Sequence, residues 1–248
     1  MNPDYFLSRS SCRNFSSSPI TDSQLDNILI KASKAPTCGN MQLYSVIVTR
    51  EEDNKKRLSG FHYNQPASTS APIILTVCAD FNRFVKWCEI NEANSGHDNF
   101  HSFINALTDA VIFTQQIVTI AETEGLGTCY LGTVTYNAKE ISDLLKLPKL
   151  VVPVASIAIG YPACEGEKTD RLPLKAVLHH EVYQQPTYDE IKKYYSIHDD
   201  NPDNAKFIEE TGKNNLAQVF AEVRYPKEMN EKISENFIEI LKEKGFIK

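Results

Sequence analysis

The chain has 248 residues, enough for one large domain or a domain with an extension, and its 42% hydrophobic and 23% charged residues are ordinary for a globular protein. A formal net charge of −6 argues against a general nucleic-acid binder, which needs a basic field, but leaves room for a local basic pocket. Met1–Tyr5 shows no basic or apolar leader region, no apolar run looks long enough to span a bilayer, and the cysteines at 12, 38, 78, 88, 129 and 164 form no CxxC pair, so a cytoplasmic protein with reduced, mostly buried thiols and no membrane contact is expected.

In chain order, Arg9-Ser10-Ser11-Cys12-Arg13-Asn14-Phe15 comes first. Two arginines bracket two serines just ahead of a helix start, and guanidinium forks, hydroxyls and backbone N–H groups all suit phosphate oxygens. Taken alone, such a run is more often a solvated basic turn than a phosphate grip. Thr21-Asp22-Ser23-Gln24 predicts a capping box, which Leu25, Ile28, Leu29 and Ala32 continue as a helix that stops before Pro36. The turn Pro36-Thr37-Cys38-Gly39-Asn40 leads into a β-branched strand over 43–49, a polar helix over 51–58 and a loop over 59–71. Residues 72–79, P-I-I-L-T-V-C-A, predict a strand covered on both faces. A helix through Glu89 and a loop over 91–98 follow.

From about Asn99 to Glu124 the pattern predicts the longest helix, with Phe100, Phe103, Ile104, Leu107, Val111, Thr114, Ile117, Val118 and Ala121 on a broad apolar face. Such a helix should be central, against a sheet or a partner. Gly125 and Gly127 end it, and a short strand over 128–131 leads to Gly132. Asn137-Ala138-Lys139-Glu140 caps a helix that ends before Pro148, and 151–159 is another apolar strand. A polar loop over 163–172 ends in Asp170-Arg171-Leu172-Pro173. Beyond about Pro186 the composition turns to Lys, Glu and Asp, with two or three helices, one from Thr187 and one from Pro226. The last carries Met229, Ile233, Phe237, Ile240 and Leu241 on one side, and this stripe together with the 99–124 face predicts a hydrophobic dimer interface. The order of elements predicts an α+β or α/β core over 1–186 and a helical extension over 187–248 within the same structural domain.

Four polar clusters, Arg9–Arg13, Thr37–Gln42, Tyr130–Thr133 and Lys168–Arg171, fall at the ends of apolar elements. The motifs are R-S-S-x-R-x-F, A-P-T-C-G-N-x-Q, G-L-G-T-C-Y-L-G, and L-L-K-L-P with V-P-V-A-S-I-A-I-G-Y-P-A, then R-L-P and H-x-x-x-Y. In this order they resemble the nitroreductase family of FMN-dependent oxidoreductases over residues 5–185. The tail, including Phe220–Pro226, resembles the larger subgroup of major NADPH nitroreductases and flavin reductases. The resemblance implies an α+β fold with a central, mostly antiparallel sheet flanked by helices, an intertwined homodimer and bound FMN. It implies that Arg9, Ser10, Ser11 and Arg13 hold the phosphate and ribityl end, with Arg171 closing from the C-terminal side. Lys168 stands one position before the place where many relatives carry a basic residue, here Thr169, and Ser10 stands where Arg or His is common. Gln65 matches a glutamine at the pyrimidine edge of the flavin, whose alternating donors and acceptors suit an amide. Tyr130, Leu131, Gly132 and Thr133 match a stretch over one ring face near N5, and Thr37, Cys38, Gly39 and Met41 match a loop that reaches the flavin of the other subunit.

Other candidates have plainer readings. Cys38 has no base paired with it in sequence, so a small packing residue outweighs a nucleophile. His97 and His101 lack an HExxH glutamate and a third ligand, so a surface helix outweighs a metal site and no metal is expected. His179-His180 reads as structural, and residues 81–103 with Trp87 read as a lid or as core. Gly125-x-Gly127 lacks a third glycine and follows a helix, so it is no dinucleotide fingerprint. The resemblance implies hydride transfer from NAD(P)H through FMN to a nitroaromatic, quinone or flavin by ping-pong turnover, with no catalytic side chain. A same-fold enzyme with another acceptor and a non-catalytic flavin-binding or sensing protein are the alternatives. Residues 194–203 hold Asp199, Asp200 and Asp203 where NADPH-specific relatives carry arginines, so NADH is expected to serve about as well as NADPH.

Overall fold

The computed structural model describes residues 5–248; Met1–Asp4, and with them most of the leader reading, lie outside the described residues. The chain forms two compact units, one running to Glu167 and resuming at Ile233–Lys248, the other Lys168–Lys232.

The first unit is α+β. Its strands β1 (Tyr44–Thr49), β2 (Ile73–Asp80), β3 (Gly127–Tyr130) and β4 (Val151–Gly160) form one antiparallel sheet in the order β1-β2-β4-β3. Every residue of β2 and β4 is buried, as their continuous apolar runs predict. Side-chain alternation sends Ile73, Leu75, Val77 and Ala79 toward α2 (Asp22–Ala32) and α6 (Phe100–Thr123). Ile74 and Ala158 meet Leu58 of α3 (Glu52–Phe61), Ala67 of α4 (Pro66–Ser70) and Ile141 of α7 (Ala138–Leu144) on the other face. Pro153 interrupts the ladder inside β4, and the register slips there, between Val77 opposite Ala155 and Cys78 opposite Pro153. A bulge is how a central strand accommodates a proline.

α6 begins at Asn99, whose side chain accepts the Ser102 N–H. Its buried face is Phe103, Ala106, Ala110, Phe113, Ile117 and Ala121, joined by Thr114 and Val118, whereas Phe100, Ile104 and Val111 are exposed. Bulk alone puts Phe100, Ile104 and Val111 on the inner face, but the buried positions there are taken by Ala106 and Ala110. The Phe113 ring stacks on Tyr44 of β1 at 4.0 Å. By length and composition α6 is apolar enough to cross a bilayer, contrary to the expectation that no run would be, but its inner face is part of the core.

α11 (Lys227–Lys244) ends inside the first unit: Ile240, Leu241 and Phe246 are buried, and Phe246 packs against Phe103 at 5.4 Å. Of its apolar stripe, Phe237, Ile240 and Leu241 are taken up by the chain's own core, while Met229 and Ile233 stay part-exposed. Smaller departures have local causes. Thr21 caps α2 through the Gln24 N–H, but the Gln24 amide donates to Tyr161 Oη (3.1 Å) instead of closing a capping box. Asn137 does not cap α7, because its side chain donates to Phe61 O at 2.6 Å.

The second unit holds α8 (Tyr188–Asp199), opened by a complete Thr187–Glu190 capping box, and α9 (Pro202–Thr211), closed by Gly212 at φ +63°. α10 (Leu216–Gln218) continues as a π-helical turn over Val219–Arg224. That turn places the Arg224 guanidinium over the Phe207 ring at 4.6 Å.

Candidate active site

The segment Arg9–Arg13 follows α1 (Tyr5–Ser8) and is pinned beside β3, where Cys12 N–H donates to Thr128 O at 2.9 Å. Ala163 N–H donates to Asn14 O at 3.0 Å on its other side. Two glycines make this fit possible. A Cβ on Gly127 would lie 2.6 Å from Cys12 Cβ, and one on Gly166 would lie 2.4 Å from Ser10 Oγ.

The Nε of Arg9 lies 3.2 Å from Glu122 Oε2, and its terminal nitrogens make no hydrogen bond among the described residues. Arg13 is exposed and, among the described residues, has neither a hydrogen bond nor an ion pair; the hydroxyls of Ser10 and Ser11 are likewise unengaged. Glu122 also accepts the Tyr5 hydroxyl (2.7 Å) and the Thr128 hydroxyl. Burial, reinforced by that carboxylate, holds the Tyr5 phenol well above its ordinary pKa. Burial also raises the Cys129 thiol, while the charges of Arg13 and Arg9 pull it the other way.

Tyr130, Leu131, Gly132 and Thr133 leave the end of the same strand. Leu131 and Thr133 are buried, Tyr130 and Gly132 are exposed, and Leu131 N–H donates to Ser156 O at 2.9 Å. A Cβ on Gly132 would meet only open space, so the chain's own packing does not demand glycine there. Thr133 Oγ1 lies 2.8 Å from Nδ1 of His62, which is fully buried and leaves its Nε2 without a partner. Burial lowers the imidazole from 6.5 to about 4, so it is neutral at pH 7. Tyr63 (φ +56°) and Asn64 (φ +50°) then turn the chain into Gln65, whose side-chain amide is free among the described residues. His62 thus ties the Gln65 turn to the Thr133 turn, and β3 ties Thr133 to Arg9–Arg13.

Thr37, Cys38, Gly39 and Met41 are not brought to this end. They precede β1, across the four-stranded sheet from β3, about 14 Å away by strand spacing alone. Their loop is held by Asp109, a carboxylate only 1% exposed on the inner face of α6. It accepts Cys38 N–H (2.8 Å) and Leu43 N–H (3.1 Å). Left-handed residues cluster between those anchors: Gly39 (φ +56°), Asn40 (φ +57°) and Gln42 (φ +49°). Lys168 and Arg171 belong to the second unit. Both are exposed, and Arg171 donates to Thr169 O (3.2 Å) and Asp170 O (3.0 Å) within its own loop.

Cys38 is exposed with its thiol beside no base among the described residues. His97 stacks on Phe81 at 4.7 Å, while exposed His101 lies 3.4 Å from the Asn105 amide. His179 Nδ1 accepts Gln184 N–H at 3.1 Å.

Residue by residue, the end of the sheet fits FMN. An unpaired arginine, a second with its outer nitrogens free and two unengaged hydroxyls suit a phosphate; a free amide suits a ring edge that both donates and accepts. Sequence reasoning missed His62, Asp109 and Glu122. Asp109 alone left a signal, an acid three residues from Ala106 and four from Phe113 on an otherwise apolar face.

The chain is similar to known proteins over most of its length. The family model described as "Nitroreductase family" matches residues 7–161. An NAD(P)H FMN reductase of Bacillus subtilis (strain 168) is 32% identical over 241 residues, covering 90% of this chain and 92% of its own length. A protein from Bacteroides fragilis NCTC 9343, solved at 1.99 Å, superposes with a TM-score of 0.97 at 43% identity over 99% of this chain and 100% of that one. The B. subtilis nitroreductase NfrA1 superposes with a TM-score of 0.85 at 26% identity over 98% of each chain.

Proposed function

The chain belongs to the nitroreductase family, and on that basis we propose that it is an NAD(P)H-dependent oxidoreductase that binds FMN and passes electrons to a nitroaromatic, quinone or flavin by ping-pong turnover. The observation that carries this reading is the Arg9–Arg13 segment, with two arginines and two serines offering unengaged donors at one end of the sheet. When bound, FMN supplies the two-electron redox chemistry. Arg13 and the outer nitrogens of Arg9 would neutralise its phosphate, and Ser10 and Ser11 would donate to the phosphate oxygens. Gln65 would donate and accept at the pyrimidine edge, its amide being free among the described residues. Tyr130–Thr133 would cover one face of the ring, with Gly132 leaving room for close approach. Lys168 and Arg171 are further candidates for the phosphate, by family resemblance alone. No side chain is assigned a proton transfer.

A homodimer completes the site. Thr37–Met41 lies at the sheet edge away from Arg9–Arg13, so a flavin touched by both segments requires a second copy. The exposed Phe100, Ile104 and Val111 stripe of α6, near the Asp109 anchor, is the apolar surface such a copy would cover.

The test is chemical. Heat-released flavin from the purified protein should be FMN, and initial rates at several NAD(P)H and acceptor concentrations should give parallel double-reciprocal lines. Release of another flavin, or intersecting lines, would contradict the proposal.

A further inference from the structure

A carboxylate beside a phosphate grip is unexpected, because it cancels part of the charge that the phosphate needs. Glu122, in the last turn of α6, is such a group, with its side chain only 8% exposed. It gathers Tyr5 Oη at 2.7 Å, the Thr128 hydroxyl and Arg9 Nε at 3.2 Å. These partners come from α1, from β3 and from the loop between α1 and α2, so the carboxylate fixes where that loop leaves the sheet. The contact to Arg9 is selective. It engages Nε, the guanidinium nitrogen nearest the backbone, and leaves the two outer nitrogens free among the described residues.

An ion pair at Nε tethers the guanidinium at its backbone end and leaves the outer pair of nitrogens as one forked edge. Arg13 has no such partner among the described residues. We propose that Glu122 is a positioning residue that orients Arg9 for two-pronged binding of the flavin phosphate and so sets the preference for FMN over riboflavin. This rests on the reading of Arg9–Arg13 as the FMN phosphate grip.

Two effects oppose each other here, and their signs differ. Simple charge repulsion predicts that removing Glu122 would tighten phosphate binding. Orientation predicts the reverse, because a freely rotating arginine must be ordered at the moment of binding, whereas a held one is ordered already. Here orientation has to outweigh repulsion, the carboxylate meeting Nε while the outer nitrogens stay open to the phosphate. Riboflavin, which lacks the phosphate, is indifferent to either effect and serves as an internal control for general loosening of the fold.

The experiment is a fluorescence titration of flavin-free protein with FMN and, separately, with riboflavin, for the wild type, Glu122→Gln, Glu122→Asp, Arg9→Ala and the Arg9→Ala/Glu122→Gln double variant. Glu122→Gln should weaken FMN by tenfold or more and riboflavin by less than twofold. Glu122→Asp keeps the charge without the reach and should behave the same way. In the Arg9→Ala background the Glu122→Gln effect should vanish. Tighter or unchanged FMN binding in Glu122→Gln, or equal weakening of both flavins, overturns the inference while a selective FMN loss in Arg9→Ala leaves the grip standing. Unchanged FMN affinity in Arg9→Ala overturns the grip and the inference together.

Discussion

The two units hold their candidate residues in different ways. In the first, buried partners fix three of the four segments: Glu122 on Arg9, Asp109 on the Cys38 and Leu43 amides, and His62 on Thr133. In the second, Lys168 and Arg171 lie on an exposed loop, and Asp199, Asp200 and Asp203 are exposed residues at the ends of α8 and α9. Groups ordered by the core cost little further ordering when a ligand arrives, whereas exposed charges must be ordered by the ligand and are screened by solvent. Changes in the first unit should therefore have large effects, and changes in the second small ones.

The largest effect is expected at Asp109. Asp109→Ala strips two backbone N–H groups of a charged acceptor, each bond being of the kind worth about 1.5–3 kcal/mol. The flavin-free protein should lose roughly 3 kcal/mol or more by urea denaturation. A loss below about 1 kcal/mol would show that the Thr37–Met41 loop is held by something else and would remove one side of the comparison.

How much of this could be read from the sequence depends on the range of the interaction. β2 and β4 were legible because burial on both faces leaves an unbroken apolar run, and Arg9–Arg13 was legible because arginines and serines cluster locally. The buried face of α6 was displaced from the reading because Ala106 and Ala110 carry no bulk to mark it. Glu122 was invisible because, Thr128 apart, its partners lie far off in sequence: Tyr5 is 117 residues away, and nothing near either residue announces the other. His62 sits in a polar turn without periodicity, and its role depends on Thr133, 71 residues on. The stripe of α11 was legible, but not which surface it meets.

The next effect concerns the phosphate. Arg9→Ala should weaken FMN binding by about 1.5–3 kcal/mol, roughly ten- to a hundredfold. The exposed Arg171 should give less than about 1 kcal/mol on the same substitution. Paired equilibrium titrations check this, and an Arg171→Ala loss equal to that of Arg9→Ala would erase the contrast between the units.

His62 supplies a pH test of the core anchors. The unfolded chain takes up its proton near 6.5 and the folded chain only near 4, so between those values the unfolded state binds more protons. Stability is thus fully present above about 6.5 and falls as pH drops toward 4. This group should lose about 2 kcal/mol from pH 7 to pH 5. Denaturation of the wild type and His62→Asn at both pH values isolates it. An equal pH dependence in the two proteins would show that the imidazole is not buried neutral.

The smallest effect belongs to the second unit. Its three exposed aspartates would repel a 2′-phosphate, and Lys213 is already paired with Glu222 at 2.8 Å. The kcat/KM ratio of NADPH to NADH should therefore lie near unity, and a ratio of about a hundredfold, some 2.7 kcal/mol, would show that this region recognises the phosphate after all.

The central claim, that a flavin held by the first unit stores the donor's electrons before any acceptor binds, is tested most directly under nitrogen. The yellow protein is mixed with one equivalent of NADH or NADPH and no acceptor, and the flavin absorbance is followed. The account predicts complete bleaching, with full recovery when a quinone or nitroaromatic is added afterwards. A flavin that stays oxidised until donor and acceptor are both present would contradict it.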